Sequence, residues 1–97
     1  MKGLRLDKYL WFARLARTRT IAQEMIDRGD VRLDGERIFN RHADVRIGHV
    51  LTLTSNARFR VVRIEQLPPR RGSPTEALST YTEILAARPI DAGNPAH

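Results

Sequence analysis

The spacing of apolar residues changes from a helical period to a strand period at Gly29, and this change constrains the fold more than any other feature. Before Gly29, apolar residues recur every three or four positions, which predicts two amphipathic helices. After it, Val31 and Leu33 alternate with a polar residue and lead into Asp34 and Gly35, a pair typical of a tight hairpin turn. The chain is therefore predicted to have an α+β fold, in which a two-helix hairpin packs on a small antiparallel sheet.

The two helices are predicted within the first 29 residues. The first spans about residues 6–16, and its apolar face comprises Leu6, Tyr9, Leu10, Ala13 and Ala16. The second begins at Thr18 or Thr20, whose hydroxyls suit an N-cap, with Gln23 completing a capping box after Thr20. Gly29 ends it, because glycine readily adopts the left-handed conformation that follows a helix.

The middle of the chain is predicted to complete the sheet. Strands are expected at residues 50–53 and 59–64, where β-branched and aromatic side chains are frequent, with a turn at residues 55–57 between them. Pro68 and Pro69 end the sheet, because proline has no N–H to donate to a strand ladder.

The C-terminal part is predicted to form one more helix and a tail. Residues 73–76, Ser-Pro-Thr-Glu, combine an N-cap, a proline at the first helical position and a capping box, so a C-terminal helix is expected over about residues 74–87. Residues 1–87 then form a single domain with its core at residues 4–64. Proline, glycine, asparagine and alanine dominate residues 88–97, which are expected to be a disordered tail.

The charge balance predicts a polyanionic partner. Seventeen Lys and Arg residues against eleven Asp and Glu give a net charge of +6, which favours a nucleic acid or an anionic membrane surface. Fifteen of the cations are arginine, whose planar fork binds phosphate in a bidentate manner. Residues 1–28 carry seven basic and three acidic groups, so the positive charge is concentrated at the front of the chain. The absence of cysteine excludes disulfides and thiolate chemistry and favours a reducing cytoplasm.

Three signatures at the front of the chain occur at fixed spacing. They are Arg5-Leu6-Asp7-Lys8-Tyr9-Leu10 in the first helix, Thr18-Arg19, Ala22-Gln23, Ile26 and Gly29 in the second, and Val31 with Asp34-Gly35 in the hairpin. Together they resemble the RNA-binding domain named after ribosomal protein S-four of the small subunit, also called the alpha-L motif. The resemblance covers about residues 4–64 and implies two helices packed on a small bent sheet that binds structured RNA.

Further segments resemble the ribosome-associated heat-shock branch of that family. They are Leu10-Trp11-Phe12-Ala13-Arg14, Thr18-Arg19-Thr20, Glu24-Met25-Ile26 and, after the sheet, Arg70-Arg71-Gly72, Ser73, Glu76-Ala77 and Tyr81. We expect a non-catalytic, cytoplasmic monomer without a cofactor, and the resemblance implies a small, ribosome-associated protein. It also implies binding to ribosomal RNA on the large subunit, in ribosome rescue or recycling under stress. Members of the branch commonly carry a long basic C-terminal extension, where this chain has a short neutral tail.

The RNA site is predicted at the N-terminus of the second helix. Proteins recognise A-form RNA mainly through phosphates and 2′-hydroxyls, and a helix N-terminus offers N–H donors and a partial positive charge. The residues predicted to contact RNA are Arg5, Lys8, Arg14, Arg17, Thr18, Arg19, Gln23, Arg32 and Arg37. For Arg32 and Arg37, which flank the hairpin turn, a solvated surface is an equally good interpretation.

Other polar and aromatic residues near this site have a structural interpretation. Asp7 and Arg14 lie seven positions apart, so we expect an ion pair between them that holds the first helix in place. Trp11 and Phe12 could stack on bases, but aromatic residues at helical spacing more often belong to a core.

Catalytic, metal-binding and membrane-spanning roles find little support in the sequence. His42, Asp44 and His49 match no metal-ligand spacing, no nucleophile or phosphate-loop motif occurs, and the longest apolar run, residues 9–13, is too short for a bilayer. Two alternatives remain open: an RNA-targeting fragment of an enzyme that modifies ribosomal or transfer RNA, and a protein that binds duplex DNA through a helix-turn-helix.

Overall fold

A five-stranded antiparallel sheet forms one layer of the molecule, and the two N-terminal helices form the other. A computed structural model describes residues 3–55 and 57–89. The elements are β1 (Leu4–Arg5), α1 (Leu6–Phe12), α2 (Arg19–Asp27), β2 (Val31–Leu33), β3 (Glu36–Arg37), β4 (Asp44–Val45), β5 (Val50–Ser55), β6 (Arg58–Ile64), α3 (Pro74–Leu78) and β7 (Tyr81–Pro89). The strand order in the sheet is β3-β2-β5-β6-β7, and β1 pairs separately with β4.

The core lies between the helices and the sheet and follows the periodicity of the sequence. The buried apolar side chains include Leu6, Tyr9 and Leu10 of α1, Ala22, Met25 and Ile26 of α2, and Val31, Leu51, Leu53, Val62 and Ile64 of the sheet. Each element buries one stripe or one face, as amphipathic helices and half-exposed strands do. The predicted fold class, a helical hairpin on a small antiparallel sheet, is confirmed.

The first helix is shorter than predicted, because it ends at Phe12 rather than at Ala16. Arg14 has a φ of 58°, in the left-handed region, and reverses the direction of the chain. The backbone N–H groups of Leu15 and Ala16 both donate to the carbonyl oxygen of Leu10, at 2.9 and 3.0 Å, and close the end of the helix. Ala16 stays buried because the chain folds back over the core.

The second helix begins after Thr18, whose hydroxyl accepts a hydrogen bond from the N–H of Ile21 at 3.0 Å. The alternative start at Thr20 is wrong. Gln23 does not close a capping box, because its side-chain amide donates to a carboxylate on α1. Gly29, with a φ of 79°, ends the helix as predicted.

The predicted hairpin after the helices is confirmed. Asp34 and Gly35 both have positive φ, 51° and 88°, which is the requirement of a type I′ turn. The expected strands at residues 50–53 and 59–64 are β5 and β6, each slightly longer than predicted.

The predicted C-terminal helix is wrong beyond Leu78. It starts as expected, because Ser73 and Glu76 form a reciprocal capping box around Pro74. The helix ends after five residues, however, and residues 81–89 form β7, which pairs antiparallel with β6.

A strand forms here because β6 would otherwise leave its outer backbone groups without partners at the sheet edge. Tyr81, Thr82 and Ile84 are residue types that favour a strand. The register also places Glu83 beside Arg60, whose Nε and Nη2 donate to its carboxylate at 2.7 and 3.0 Å. These long-range pairings outweigh the local sequence pattern that predicted a helix over residues 74–87.

The predicted disordered tail, residues 88–97, is wrong for its first two residues. Residues 88 and 89 belong to β7, and residues 90–97 lie outside the described residues. No helix in the described part of the chain is long and apolar enough to cross a membrane.

Tyr9 links the first helix to the start of β7. Its side chain is fully buried, and its hydroxyl donates to the carbonyl oxygen of Thr80 at 3.1 Å. Burial raises the pKa of Tyr9 to about 12, from a usual 10.0, because a phenolate in the core would lose its hydration.

Replacement of Tyr9 by phenylalanine should change the alkaline stability of the fold. The unfolded chain loses the Tyr9 proton near pH 10 and the folded chain near pH 12, so stability is intact below pH 10 and falls by about 3 kcal/mol between these values. Tyr9→Phe should lose about 1 kcal/mol at neutral pH, the net value of the hydrogen bond, and should lack this alkaline decline. Urea unfolding of both proteins at neutral pH and across the alkaline range measures the two effects. An equally steep decline in the variant would contradict the assignment.

Candidate nucleic-acid interface

The carboxylate of Asp7 lies at the centre of the predicted RNA site. It is fully buried, and it accepts hydrogen bonds from Arg5 Nε and Nη2, at 3.0 and 2.8 Å, and from Gln23 Nε2 at 3.0 Å. Arg19 Nε lies 3.4 Å from the same carboxylate. We call these four residues the Asp7 cluster. It joins β1, α1 and α2, so one carboxylate fixes the positions of three donors.

The electrostatics of the cluster keep Asp7 ionised. Burial by itself raises the pKa of the carboxyl, but hydrogen bonds from Arg5 and Gln23 and the charges of Arg5 and Arg19 outweigh it and lower the pKa below its usual 3.8. The side chains of Arg5 and Arg19 are only 32% and 37% exposed. The two cations are therefore held in place by an anion beneath them.

The expected ion pair between Asp7 and Arg14 is wrong. The prediction assumed that Asp7 and Arg14 lie on the same side of one helix. However, α1 ends at Phe12, and the backbone of Arg14 has the left-handed conformation. Its Nε instead donates to the carbonyl oxygen of Gly72 at 2.7 Å.

The structure separates the residues that the sequence placed in one site. Lys8 follows Asp7 on α1 and its side chain is half-buried, whereas Arg14 and Arg17 lie on the loop of residues 13–18, beside Arg71 and Gly72. Arg71 Nη1 donates to the carbonyl oxygen of Arg17 at 3.0 Å. The hydroxyl of Thr18 is occupied as the helix cap.

The remaining two predicted contacts lie on the β2–β3 hairpin. Arg32 and Arg37 are directly opposite each other and exposed. Like charges at such positions repel each other, and a polyanion would relieve the repulsion. Arg32 Nη1 lies 3.4 Å from the carbonyl oxygen of Gly35.

Arg41 belongs to the same surface as the Asp7 cluster, although sequence reasoning missed it. Its carbonyl oxygen accepts from the N–H of Asp7 at 3.3 Å, and its Nη2 lies 2.6 Å from a carboxylate oxygen of Asp27. The hydrogen bond and charge of Asp27, with a further contribution from Asp7, raise the pKa of Arg41 above its usual value. No local pattern marks Arg41, because only the tertiary fold brings residues 41–43 to the start of α1.

The histidines considered as metal ligands take part in local turns. His49 Nδ1 accepts from the N–H of Arg46 at 3.0 Å, and its Nε2 lies 3.9 Å from Asp34. The side chain of His42 is exposed. Among the described residues there is no group of three or more histidine, cysteine, aspartate or glutamate side chains placed to hold a metal ion.

Comparison of the chain with known proteins identifies its family. The family model of the S4 domain matches residues 4–51. Heat shock protein 15 of Escherichia coli strain K12 is 36% identical over 80 residues, which are 82% of this chain and 59% of that protein. The RQC P-site tRNA stabilizing factor of Bacillus subtilis strain 168 is 32% identical over 79 residues, which are 81% of this chain and 90% of that protein.

A solved structure has the same fold. It is Heat Shock Protein 15 of Vibrio cholerae, described as trimeric, with a TM-score of 0.78 and 34% identity, and the match covers 84% of this chain and 82% of that chain. The chain spans about three-fifths of the length of the Escherichia coli relative. The segment matched by the family model contains the whole Asp7 cluster.

Removal of the buried charge should destabilise the fold. Asp7→Asn keeps the shape of the side chain but turns an amide N–H₂ towards the donors of Arg5, Arg19 or Gln23. Loss of one partner of a fully buried ion pair costs about 3–5 kcal/mol; here the arginines are a third exposed and regain water, so we expect a loss of about 2 kcal/mol. Thermal and urea unfolding measure it.

The same variant tests the pKa of Asp7. Because that pKa is lowered in the folded state, the stability it contributes is present above pH 3.8 and is lost as the pH falls through the folded value. Asp7→Asn should lack this part of the acid transition. Glu36→Gln, at an exposed carboxylate of β3, is the matched control and should unfold with acid as the natural protein does. Equal acid profiles for all three proteins would refute the assignment.

Proposed function

This chain belongs to the S4 domain family, and we propose that it binds structured RNA through the surface around the Asp7 cluster. The observation that carries this proposal is the anchoring of Arg5, Arg19 and Gln23 on one buried carboxylate. Side chains that are already ordered lose less conformational entropy when they bind a ligand. The cluster therefore suits recognition of a rigid, regularly spaced array of phosphates and 2′-hydroxyls.

Arg19 has the most suitable position for a phosphate contact. It is the first residue of α2, where the backbone N–H groups of a helix have no internal partner and carry a partial positive charge. Its Nε faces Asp7, so the Nη edge of the guanidinium remains for a ligand. Lys8 and Arg41 add positive charge beside it, although Arg41 is partly neutralised by Asp27.

The proposed role is binding without catalysis. Asp7 is unsuited to act as a general base, because it is buried beneath its donors and its pKa is lowered rather than raised towards neutrality. Asp27 is engaged by Arg41, and the other ionisable groups of this surface are arginines and a lysine. These are groups that position phosphates rather than transfer protons at neutral pH.

The RNA is proposed to be ribosomal RNA of the large subunit, and the setting rescue or recycling of stalled ribosomes under stress. The names of the relatives support this, since one group is heat shock protein 15 and another is a factor that stabilises the P-site tRNA. A cytoplasmic location follows from that setting. We also expect the free chain to be a monomer, because Leu6, Tyr9 and Leu10 are fully covered within one chain; the Vibrio cholerae relative is described as trimeric.

Arg19→Ala should weaken binding to structured RNA while leaving the fold intact. A charge-assisted hydrogen bond contributes about 1.5–3 kcal/mol, so a loss of about tenfold or more in affinity is expected. Alanine is a good helix former, and Asp7 keeps its bidentate partner Arg5. Fluorescence anisotropy with a labelled ribosomal RNA hairpin measures the affinity, with thermal melting in parallel and duplex DNA as a competitor.

The matched control is Arg63→Ala. Val62 and Ile64 on either side of Arg63 are fully buried, so Arg63 points to the opposite face of the sheet, away from the helices. If Arg63→Ala weakens binding as much as Arg19→Ala, the affinity comes from overall charge and not from the proposed surface. Equally effective competition by duplex DNA would favour the DNA-binding alternative.

Binding to isolated ribosomal subunits tests the identity of the RNA. The protein should sediment with purified large subunits and not with small subunits, and Arg19→Ala should reduce the bound fraction. Because phosphate contacts release counterions, raising the salt should release the protein. Equal binding to both subunits would contradict a site on the large subunit.

A further inference from the structure

A second surface combines arginines with apolar side chains, away from the Asp7 cluster. It is an open groove of about 560 Å³ between the loop of residues 13–18, α2 and the turn that joins β5 to β6. Met25 and Leu53, which are 6% and 4% exposed, contribute to its apolar lining. Five arginines line it. Arg60 pairs with Glu83, and we call the site the arginine groove after the other four: Arg14, Arg17, Arg58 and Arg71.

The charge of these four arginines is not neutralised within the described residues. None of them forms an ion pair there, in contrast to Arg5, Arg19, Arg41 and Arg60, which each pair with a carboxylate. Arg14 and Arg71 donate to backbone carbonyl oxygens, at 2.7 and 3.0 Å. Such bonds fix a guanidinium but leave its full charge, so the groove attracts an anion.

The backbone is strained where it supplies one of these arginines. Arg14 has a φ of 58°, and the left-handed conformation costs about 1 kcal/mol for a residue other than glycine. The hydrogen bond to Gly72 then holds the Arg14 side chain at the groove. Strain of this kind persists only where the surroundings hold the residue in place, and it is frequent at binding sites.

An aromatic ring completes the lining. Phe59 of β6 is partly exposed and lines the groove next to Arg58. A planar ring beside positively charged groups is the arrangement that binds unpaired nucleotides, since bases stack on the ring while cations contact the phosphates. A peptide of aspartate and glutamate alone would satisfy the arginines but has no flat apolar group for Phe59.

We propose that the arginine groove binds an unpaired segment of RNA, with phosphates on the four arginines and a base against Phe59. Ile21 of the first turn of α2 also lines the groove, two residues after Arg19, so a strand that leaves the Asp7 cluster can enter the groove directly. This inference deepens the proposed RNA-binding function and rests on it for the identity of the polyanion. The two surfaces bind different parts of one RNA.

A single-stranded probe tests the groove separately from the Asp7 cluster. A fluorescein-labelled oligouridine of about 10 nucleotides fits the usual span of a single-stranded site. Phe59→Leu keeps an apolar side chain but removes the stacking face, and it should weaken binding about tenfold. Phe39→Leu makes the same change at a ring that is 59% exposed and does not line the groove, and it should leave binding unchanged.

The arginines are tested by the salt dependence of the same binding. Affinity falls as salt rises, and the double variant Arg17→Ala with Arg58→Ala should make this fall less steep. The slope of log affinity against log salt should become less negative by about 0.7 for each lost phosphate contact. Both residues are exposed, so the melting temperature should change little. Arg63→Ala, on the outer face of the sheet, should leave the slope as it is.

Three outcomes would overturn the groove proposal. They are unchanged affinity of Phe59→Leu for oligouridine, equal loss in Phe39→Leu, and displacement of oligouridine by a glutamate peptide of equal charge as effectively as by unlabelled oligouridine. The groove variants should bind a blunt RNA hairpin as the natural protein does. If Arg19→Ala leaves hairpin binding unchanged while Phe59→Leu weakens oligouridine binding, the proposed role of the Asp7 cluster fails and the groove stands.

Discussion

The buried carboxylate of Asp7 is the interaction on which the rest of this surface depends. It is the only fully buried charge among the described residues, and from α1 it contacts donors of β1 and α2. A buried ion pair adds little net stability, because the cost of removing the charges from water offsets their attraction. The ion pairs of Asp7 instead set the positions of the side chains around it. It fixes the angle between α1 and α2 by a directional contact, and it brings two arginines together that would otherwise repel each other.

The arginines of the two proposed RNA-binding surfaces differ in their electrostatics. Those around Asp7 and Asp27 are paired, which orders the side chains and reduces their net charge. Those of the arginine groove form no ion pair among the described residues, and two of them, Arg14 and Arg71, donate to backbone carbonyl groups, so they keep their full charge. The first arrangement suits a rigid ligand of regular shape, where precise placement matters. The second suits a flexible strand, where charge and a stacking face matter more.

The segment after the family-matched region shapes both the core and the groove. The S4 domain match ends at residue 51. Beyond it, the carbonyl oxygen of Thr80 accepts a hydrogen bond from the hydroxyl of Tyr9, and β7 covers the outer edge of β6. Residues 71 and 72 supply or accept the hydrogen bonds that hold Arg14 and the loop of residues 13–18. The segment that precedes α3 therefore supports the loop that carries part of the predicted RNA site.

The sequence by itself determined the two helices, the hairpin at Asp34 and Gly35, and the start of α3, because each rests on short-range periodicity or on the local preferences of turn and cap residues. It also named Arg5, Arg19 and Gln23 among the residues that contact RNA, and that contact stays a prediction. The tertiary structure decided the partner of Asp7, the place of Arg41 and the strand at residues 81–89. These depend on the left-handed turn at Arg14, on the loop that packs against the start of α1, and on the open edge of β6. Each of these brings together segments distant in sequence, and such contacts leave no periodic signal in the chain.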